Sequence, residues 1–288
     1  MLRLIQKWLK AGVSEDGQWS ETKVGTPQGA VASPLLANVY LHYVFDLWVE
    51  AWRGKAAKGD VIVVRYADDL VVGFENLTEA ERFLREFQER LAKFGLELQA
   101  EKTRLIRFGR FAALNRAERG QGKPETFTFL GFTHYCGKQR NGKFIVWRKT
   151  AKKRMTAKLR DIKTELRRRM HEPNSVVGEW LKRVVVGYYQ YHAIPGNLNR
   201  LGLFRHRLRR LWVQIIRRRS QRNRKNWQRL RPLLDRWIPQ PQVLHPYPME
   251  RFAARKGGSR MRSLRSYGSA RGVSRDRHSY RNCRQLTA

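Results

Sequence analysis

Residues 60–74 read DVIVVRYADDLVVGF, and this stretch decides the fold. Two Val- and Ile-rich runs, 61–65 and 70–74, flank an acidic tip, Tyr66-Ala67-Asp68-Asp69. Apolar β-branched runs on both sides of a short polar break predict two antiparallel strands joined by a tight turn. Two adjacent carboxylates at such a turn repel each other, and a bound cation offsets that repulsion. The pair therefore points to an Mg²⁺ site at Asp68 and Asp69. Two-metal phosphoryl transfer calls for further ligation, and no well-placed third carboxylate precedes the motif.

Outward from the hairpin, helical periods take over. Upstream, Leu35, Leu36, Val39, Tyr40, Val44 and Leu47 form a helical stripe. Ser33 is its expected N-cap, and Pro34 sits where a first turn tolerates proline. Gly25, Pro27 and Gly29 predict a tightly turning loop before it. Residues 2–12 predict a short amphipathic helix stopped by Gly12, and 14–24 a polar loop. Downstream, Leu84, Phe87, Leu91 and Phe94 repeat at three and four, Thr78 and Glu81 have capping-box spacing, and Gly95 is the expected stop. Residues 96–98 and 103–108 predict short strands around a turn at Lys102. The order helix, strand, strand, helix, strand predicts an α+β fold, an antiparallel sheet backed by helices.

Residues 127–135 and 142–147 predict a hairpin about Asn141-Gly142. From residue 150 the period is helical: Met155, Leu159, Ile162 and Leu166 on a first helix, then Val177, Trp180, Leu181, Val184 and Tyr188 after Pro173, then Phe204, Leu208, Leu211, Trp212 and Ile215. Residues 232–288 predict Pro-rich turns and a Ser/Arg/Gly stretch. Residues 268–288 are expected to be poorly ordered, since little there can be buried.

Charge divides the chain of 288 residues unevenly. Residues 1–139 hold 20 Lys+Arg and 17 Asp+Glu, whereas 140–288 hold 40 and 7, a net of +33. A near-neutral part joined to an intensely basic, Arg-dominated part predicts a polyanion partner. Lys152, Lys153, Arg160, Arg207, Arg209 and Arg210 are the expected phosphate contacts. Tyr188, Tyr189 and Tyr191 fit either the core of this part or stacking on unpaired bases. No run of apolar residues is long enough to span a membrane. The two cysteines, Cys136 and Cys283, exclude a disulfide framework and a Cys₄ zinc site within one chain. A reducing, cytoplasmic setting is expected.

Several segments together resemble a group II intron-encoded reverse transcriptase/maturase: GTPQGAVASPLLANVYLHY (25–43), VRYADDLVVGF (64–74), Lys102-Thr103, FTFLGFTH (127–134), GYYQYHAIPGNLNRLG (187–202), WVQIIRRRSQRN (212–223) and HPYPMERF (245–252). The resemblance runs over roughly residues 1–255. It implies a partial reverse-transcriptase palm with a primer-grip hairpin over 1–148, a basic all-α thumb and maturase-type RNA-binding region over 149–255, and a basic tail over 256–288. It implies Asp68 and Asp69 as catalytic Mg²⁺ ligands. Tyr66 would lie against the template–primer, Gln28 and Gly29 at the nucleotide or template, Lys102 at a phosphate, and Leu130 and Gly131 at the primer grip. The implied partners are group II intron RNA, an RNA template, a DNA primer and dNTPs.

The departures from that family carry information too. Its first metal-binding Asp and its fingers would stand ahead of the Thr26–Gly29 loop, where this sequence offers only Glu15, Asp16 and Glu21. Ala30 stands where glycine is common. The resemblance thus implies an N-terminally truncated chain, with an upstream split partner as one source of the missing parts. Three functions stay open: an RNA-directed DNA polymerase and maturase promoting intron splicing and mobility, an RNA-binding splicing cofactor without polymerase activity, and an inactive or split-gene fragment.

Overall fold

The computed structural model describes residues 2–9, 13–15, 18–20, 32–219, 226–247 and 284–287. Two units emerge, Met1–Glu125 with Tyr280–Ala288, and Thr126–Ser279. The division falls between Glu125 and Thr126, so the hairpin over 127–150 lies with the basic helices.

The first unit opens with α1 (Leu2–Leu9), followed by a small hairpin, β1 (Val13–Glu15) with β2 (Gln18–Ser20). The hairpin falls inside the stretch expected as a loop, and Gly12 lies outside the described residues. Next come α2 (Ser33–Leu41), a π-helical turn (His42–Asp46) and α3 (Leu47–Lys55). The N-cap position falls on Ala32 rather than Ser33, with Pro34 in the first turn as expected. The π turn inserts an extra residue into the helical period. Consecutive Val44 and Phe45 are both buried there.

Strands β3 (Val61–Tyr66) and β4 (Asp69–Phe74) pair antiparallel, Val61 opposite Phe74 and Tyr66 opposite Asp69. The register sends Val61, Leu70, Val72 and Phe74 into a core with Phe45, Val49, Trp52, Phe83 and Phe87. Its aromatic rings meet at tilted and edge-on angles, with Phe83 5.0 Å from Trp52, 5.1 Å from Phe74 and 5.2 Å from Trp48. Helix α4 (Leu77–Ala92) supplies Phe83, Phe87 and Leu91. It is capped at Asn76, two residues before the expected Thr78, and Asn76 donates to Glu79 across the first turn. Glu79 also accepts from the backbone of Lys58 and Gly59, which fastens the loop before β3. Gly95 ends the helix with φ +66°, the left-handed backbone that glycine adopts without steric cost. Residues 96–98 form no strand, while β5 (Arg104–Arg107) does. A short helix, α5 (Ala112–Ala117), follows.

The second unit begins with a three-stranded meander, β6 (Phe127–Phe129), β7 (Phe132–Lys138) and β8 (Phe144–Thr150). The single strand expected over 127–135 is divided by a turn at Leu130-Gly131, both with positive φ (48° and 78°). Among the described residues four helices follow: α6 (Lys152–Arg168), α7 (Asn174–His192), α8 (Leu198–Arg218) and α9 (Trp227–Trp237). They enclose a core built on Leu166, Leu181, Val185, Leu201, Phe204, Leu208 and Trp212. The fully buried Asn197 ties the meander to this core. It accepts from the Thr150 amide and donates to the Thr150 hydroxyl and to the His192 carbonyl.

Helix α9 lies partly in the segment expected as Pro-rich turns. Asn226 caps it by accepting from the Arg229 amide, and Leu230 and Leu234 turn into the core despite Pro232. Residues 268–283 and 288 lie outside the described residues. Arg284–Thr287, expected to be poorly ordered, form a strand, β9, in the sheet of the first unit. Backbone pairing supplies the order that side-chain composition alone did not suggest. Among the described residues no helix is long and apolar enough to cross a membrane.

His134 on β7 yields a pH prediction. Its ring stacks on Phe127 at 4.7 Å, and burial, helped by nearby Arg148, pushes its pKa down from 6.5 to about 4. The unfolded chain therefore binds the proton more readily than the folded one between these values. The contribution of the neutral ring is complete above pH 6.5 and is lost as pH falls toward 4, up to about 3 kcal/mol. Burial lowers the His192 pKa as well, in the same sense. Urea unfolding should give a falling stability across this window, and His134→Leu should flatten most of the fall.

Candidate functional site

The acidic turn is built from its strands inward. Ala67 and Asp68 are the two residues between β3 and β4, and Ala67 takes φ +54°. A non-glycine residue in that region costs roughly 1–2 kcal/mol, so something must hold it. Arg65 does. Its guanidinium donates to the Ala67 carbonyl at 3.1 Å and to Asn38 of α2 at 2.9 Å. It also grips Asp46 of the π turn through two bonds of 2.8 and 2.6 Å. Burial alone would raise the Asp46 carboxyl, but the Arg65 hydrogen bonds and charge, with His42, hold it below the ordinary carboxylate range. The same pair raises the Arg65 pKa. The turn is thus locked to the helix behind it, while Asp68 and Asp69 are both exposed. Tyr66, 64% exposed, lies directly opposite Asp69 in the register.

Sequence reasoning passed over Arg65, Asp46 and Asn38. A lone Arg within an apolar strand, pointing to the helix side by alternation, was the available signal. It is a positioning group, since it touches the turn backbone and not the exposed carboxylates.

Lys102 comes to the same end of the sheet. Val71 and Arg104 lie opposite the same residue of β9, Thr287, so the turn preceding β5 stands at the level of the acidic tip. Lys102 is exposed on that turn. Gln28 and Gly29 lie outside the described residues. Asp68 and Asp69 offer the hard oxygen donors that Mg²⁺ prefers. Among the described residues no group of three potential metal ligands occurs, so the pair fits one part of a coordination sphere.

Leu130 and Gly131 form the tight β6–β7 turn in the other unit. The Tyr191 hydroxyl donates to the Leu130 carbonyl at 2.8 Å, the Ala151 amide donates to the Gly131 carbonyl at 2.9 Å, and Phe132 stacks on Tyr191. The turn is therefore fixed against α6 and α7. Tyr188 and Tyr189 are core residues. Tyr188 stacks between His192 and Phe204, and the Tyr189 hydroxyl donates to the Pro239 carbonyl. Burial lifts both phenols to about 12.

The basic side chains separate into two groups. Thr156, Leu159, Arg160 and Lys163 of α6 and Arg207, Arg210, Leu211 and Gln214 of α8 line an open groove of about 410 Å³. Arg167 and Arg218 continue it alongside Lys163, Leu211 and Gln214. The cations recur at spacings of three and four on α6 and of three and eight on α8, which places each set on one face. Among the described residues no acidic side chain lines either part. Arg209 is not in this group. It faces α9, 3.3 Å from Asp235 and over the Trp227 ring, and Arg205 pairs with the same Asp235. Lys152 and Lys153 are exposed at the start of α6 and are not among the residues lining the groove.

Residues 1–134 match the family described as reverse transcriptase (RNA-dependent DNA polymerase), a segment that contains the whole acidic hairpin. Over 42 residues the chain is 60% identical to the group II intron-encoded protein LtrA of Lactococcus lactis subsp. cremoris, covering 15% of this chain and 7% of that protein. Over 211 residues it is 26% identical to the putative COX1/OXI3 intron 1 protein of Saccharomyces cerevisiae, covering 57% of this chain and 25% of that protein. It is also 45% identical over 49 residues to an uncharacterized 91 kDa protein in a cob intron of Schizosaccharomyces pombe, covering 17% of this chain and 6% of that protein. The chain thus matches a quarter or less of the length of these relatives.

Proposed function

We propose that this chain acts in a group II intron-type reverse transcriptase/maturase system, binding intron RNA through its basic helices and contributing an acidic hairpin to nucleotidyl transfer. The observation that carries the reading is the exposed Asp68–Asp69 turn, locked from behind by Arg65, within the segment that matches reverse transcriptases. Asp68 is the first ligand for Mg²⁺ and Asp69 the second. Bound Mg²⁺ would stabilise the charge that develops on the primer 3′-oxygen and the phosphates during in-line transfer. Tyr66 presents a flat ring beside the acidic pair for the template–primer, and Lys102 a cation for a phosphate. Leu130 and Gly131, on their braced turn, would contact a primer strand. RNA phosphates lie along Arg160, Lys163, Arg207 and Arg210, with Leu159 and Leu211 as an apolar floor. Lys152 and Lys153 add charge at the start of α6.

Two carboxylates do not complete a two-metal site, and this sets the expected result. In a primer-extension assay with Mg²⁺, RNA template, DNA primer and dNTPs, the chain alone should extend at or near background. Robust extension that Asp68→Ala abolishes would show that this chain completes the site by itself and would contradict the reading.

A further inference from the structure

Helix α7 carries three tyrosines close together, and the structure treats them differently. Tyr188 and Tyr189 are buried, whereas Tyr191 is 53% exposed. Its ring is nevertheless held in place. The hydroxyl donates to the Leu130 carbonyl at 2.8 Å. Phe132 stacks on the ring, with centroids 5.5 Å apart and planes 25° from parallel, and His192 meets it edge-on at 4.8 Å. Phe132 covers one face, so the exposed area belongs to the opposite face. Bracing the Leu130-Gly131 turn accounts for the hydroxyl. It does not account for an open aromatic face fixed in one orientation.

The surroundings of this face are cationic. The first turn of α6 reads Lys152-Lys153-Arg154-Met155, and its three basic residues are exposed. The Cβ position of Gly131 lies 4.0 Å from both the Arg154 Cγ and the Tyr191 Cε1. Arg154 and the Tyr191 ring thus border the same glycine. Lys153 is followed at three and seven residues by Thr156 and Arg160, which line the basic groove. Those spacings put Lys153 on the groove face of α6. The row of cations in the groove therefore continues to the helix end that carries Arg154.

We propose that Tyr191 is a stacking platform for one unpaired nucleobase of the RNA, with Arg154 and Lys153 on the phosphates beside it. The proposal rests on the RNA-binding reading of the basic helices and adds the form of RNA they accept: a single-stranded segment that leaves a helix whose phosphates lie in the groove. Every base has a π face, so the platform selects an unpaired base over a paired one and tolerates any sequence. The ring is already fixed, so little side-chain freedom is lost on binding.

The test is fluorescence anisotropy on the full chain with three synthetic RNA probes. One is a blunt stem-loop. The second adds adenosine tails at both ends of the stem. The third has tails of equal length made of abasic sugars, which keep the phosphates and their charge. The adenosine tails should tighten binding about tenfold over the abasic tails. Tyr191→Phe loses the bond to Leu130 and keeps the ring face, so it should retain that ratio. Tyr191→Leu should bring the ratio to about one and leave the affinity for the blunt stem-loop unchanged. Lys153→Gln with Arg154→Gln should make the salt slope of the adenosine-tailed probe shallower by about 1.4, and an unchanged slope would overturn the phosphate part. On the unaltered chain, tails of 5-iodouridine should photocrosslink to Tyr191, as read by mass spectrometry. Equal binding of adenosine and abasic tails, a ratio that survives in Tyr191→Leu or vanishes in Tyr191→Phe, or crosslinks confined to other residues would each overturn the platform. Absence of binding to all three probes would overturn the RNA-binding reading and the platform with it.

Discussion

A chain carrying Arg160→Ala, Lys163→Ala, Arg207→Ala and Arg210→Ala is expected to bind structured RNA on the order of 100-fold more weakly than the parent, with a log–log salt slope shallower by about 3. The expectation follows from geometry as well as total charge. Four cations from two helices converge on one groove with no acidic neighbour among the described residues of its lining, so their fields add over the path of one backbone. Each phosphate contact releases counterions and contributes roughly 0.7 to 0.9 to the slope. Arg205→Ala and Arg209→Ala form the informative contrast. Both side chains are held by Asp235, so their removal should lower stability and leave the salt slope nearly unchanged. Fluorescence anisotropy over a salt titration checks both halves. A slope unaltered by the fourfold change would place the RNA surface elsewhere.

The second large effect concerns the other core. Phe83→Ala is expected to destabilise the hairpin unit by about 3–5 kcal/mol. Phe83 is fully buried, and its ring meets Trp48, Trp52, Phe74 and Phe87. The vacated volume cannot close easily, because those neighbours belong to α3, β4 and α4 and are fixed by their own elements. Phe74 is the last residue of β4, so loosening it loosens the strand that carries Asp69. Hydrogen exchange at the β3 and β4 amides should rise accordingly. The core of the second unit is a separate set of side chains, and exchange in α6–α8 should stay the same. A uniform rise in both units would contradict independent cores.

Much of this was legible because the strongest local periods coincide with tertiary burial. The β3–β4 hairpin announces itself by Val and Ile around a polar tip, and α4, α6, α7 and α8 by apolar residues at three and four. The missed features depend on partners distant in sequence or on a break in the period. The π turn at His42–Asp46 shifts the stripe, yet it brings Asp46 to Arg65, 19 residues away. Leu130, an apolar residue with positive φ, hides a turn inside an apparently continuous strand. Pro232 conceals α9, although Asn226, Leu230 and Leu234 have the spacing of a capped helix. Strand β9 has only Leu286 as an apolar member, and its order comes from neighbours it meets across the chain.

The candidate site shows the same division. Asp68, Asp69 and Tyr66 were readable from the motif, and Lys102 reaches their end of the sheet only through the β4–β9–β5 order. Of the basic residues, helical spacing could have joined Arg160 to Lys163 and Arg207 to Arg210. It could not reveal that Arg209 turns toward Asp235, because that depends on α9.

The division of labour between the two units is the centre of the account, and an intron-RNA assay reads it directly. Asp68→Asn with Asp69→Asn should leave RNA binding and assisted splicing intact, because neither carboxylate lies among the groove residues. The fourfold groove variant should lose both. Loss of binding or splicing in the Asp variant, or their survival in the groove variant, would contradict the account.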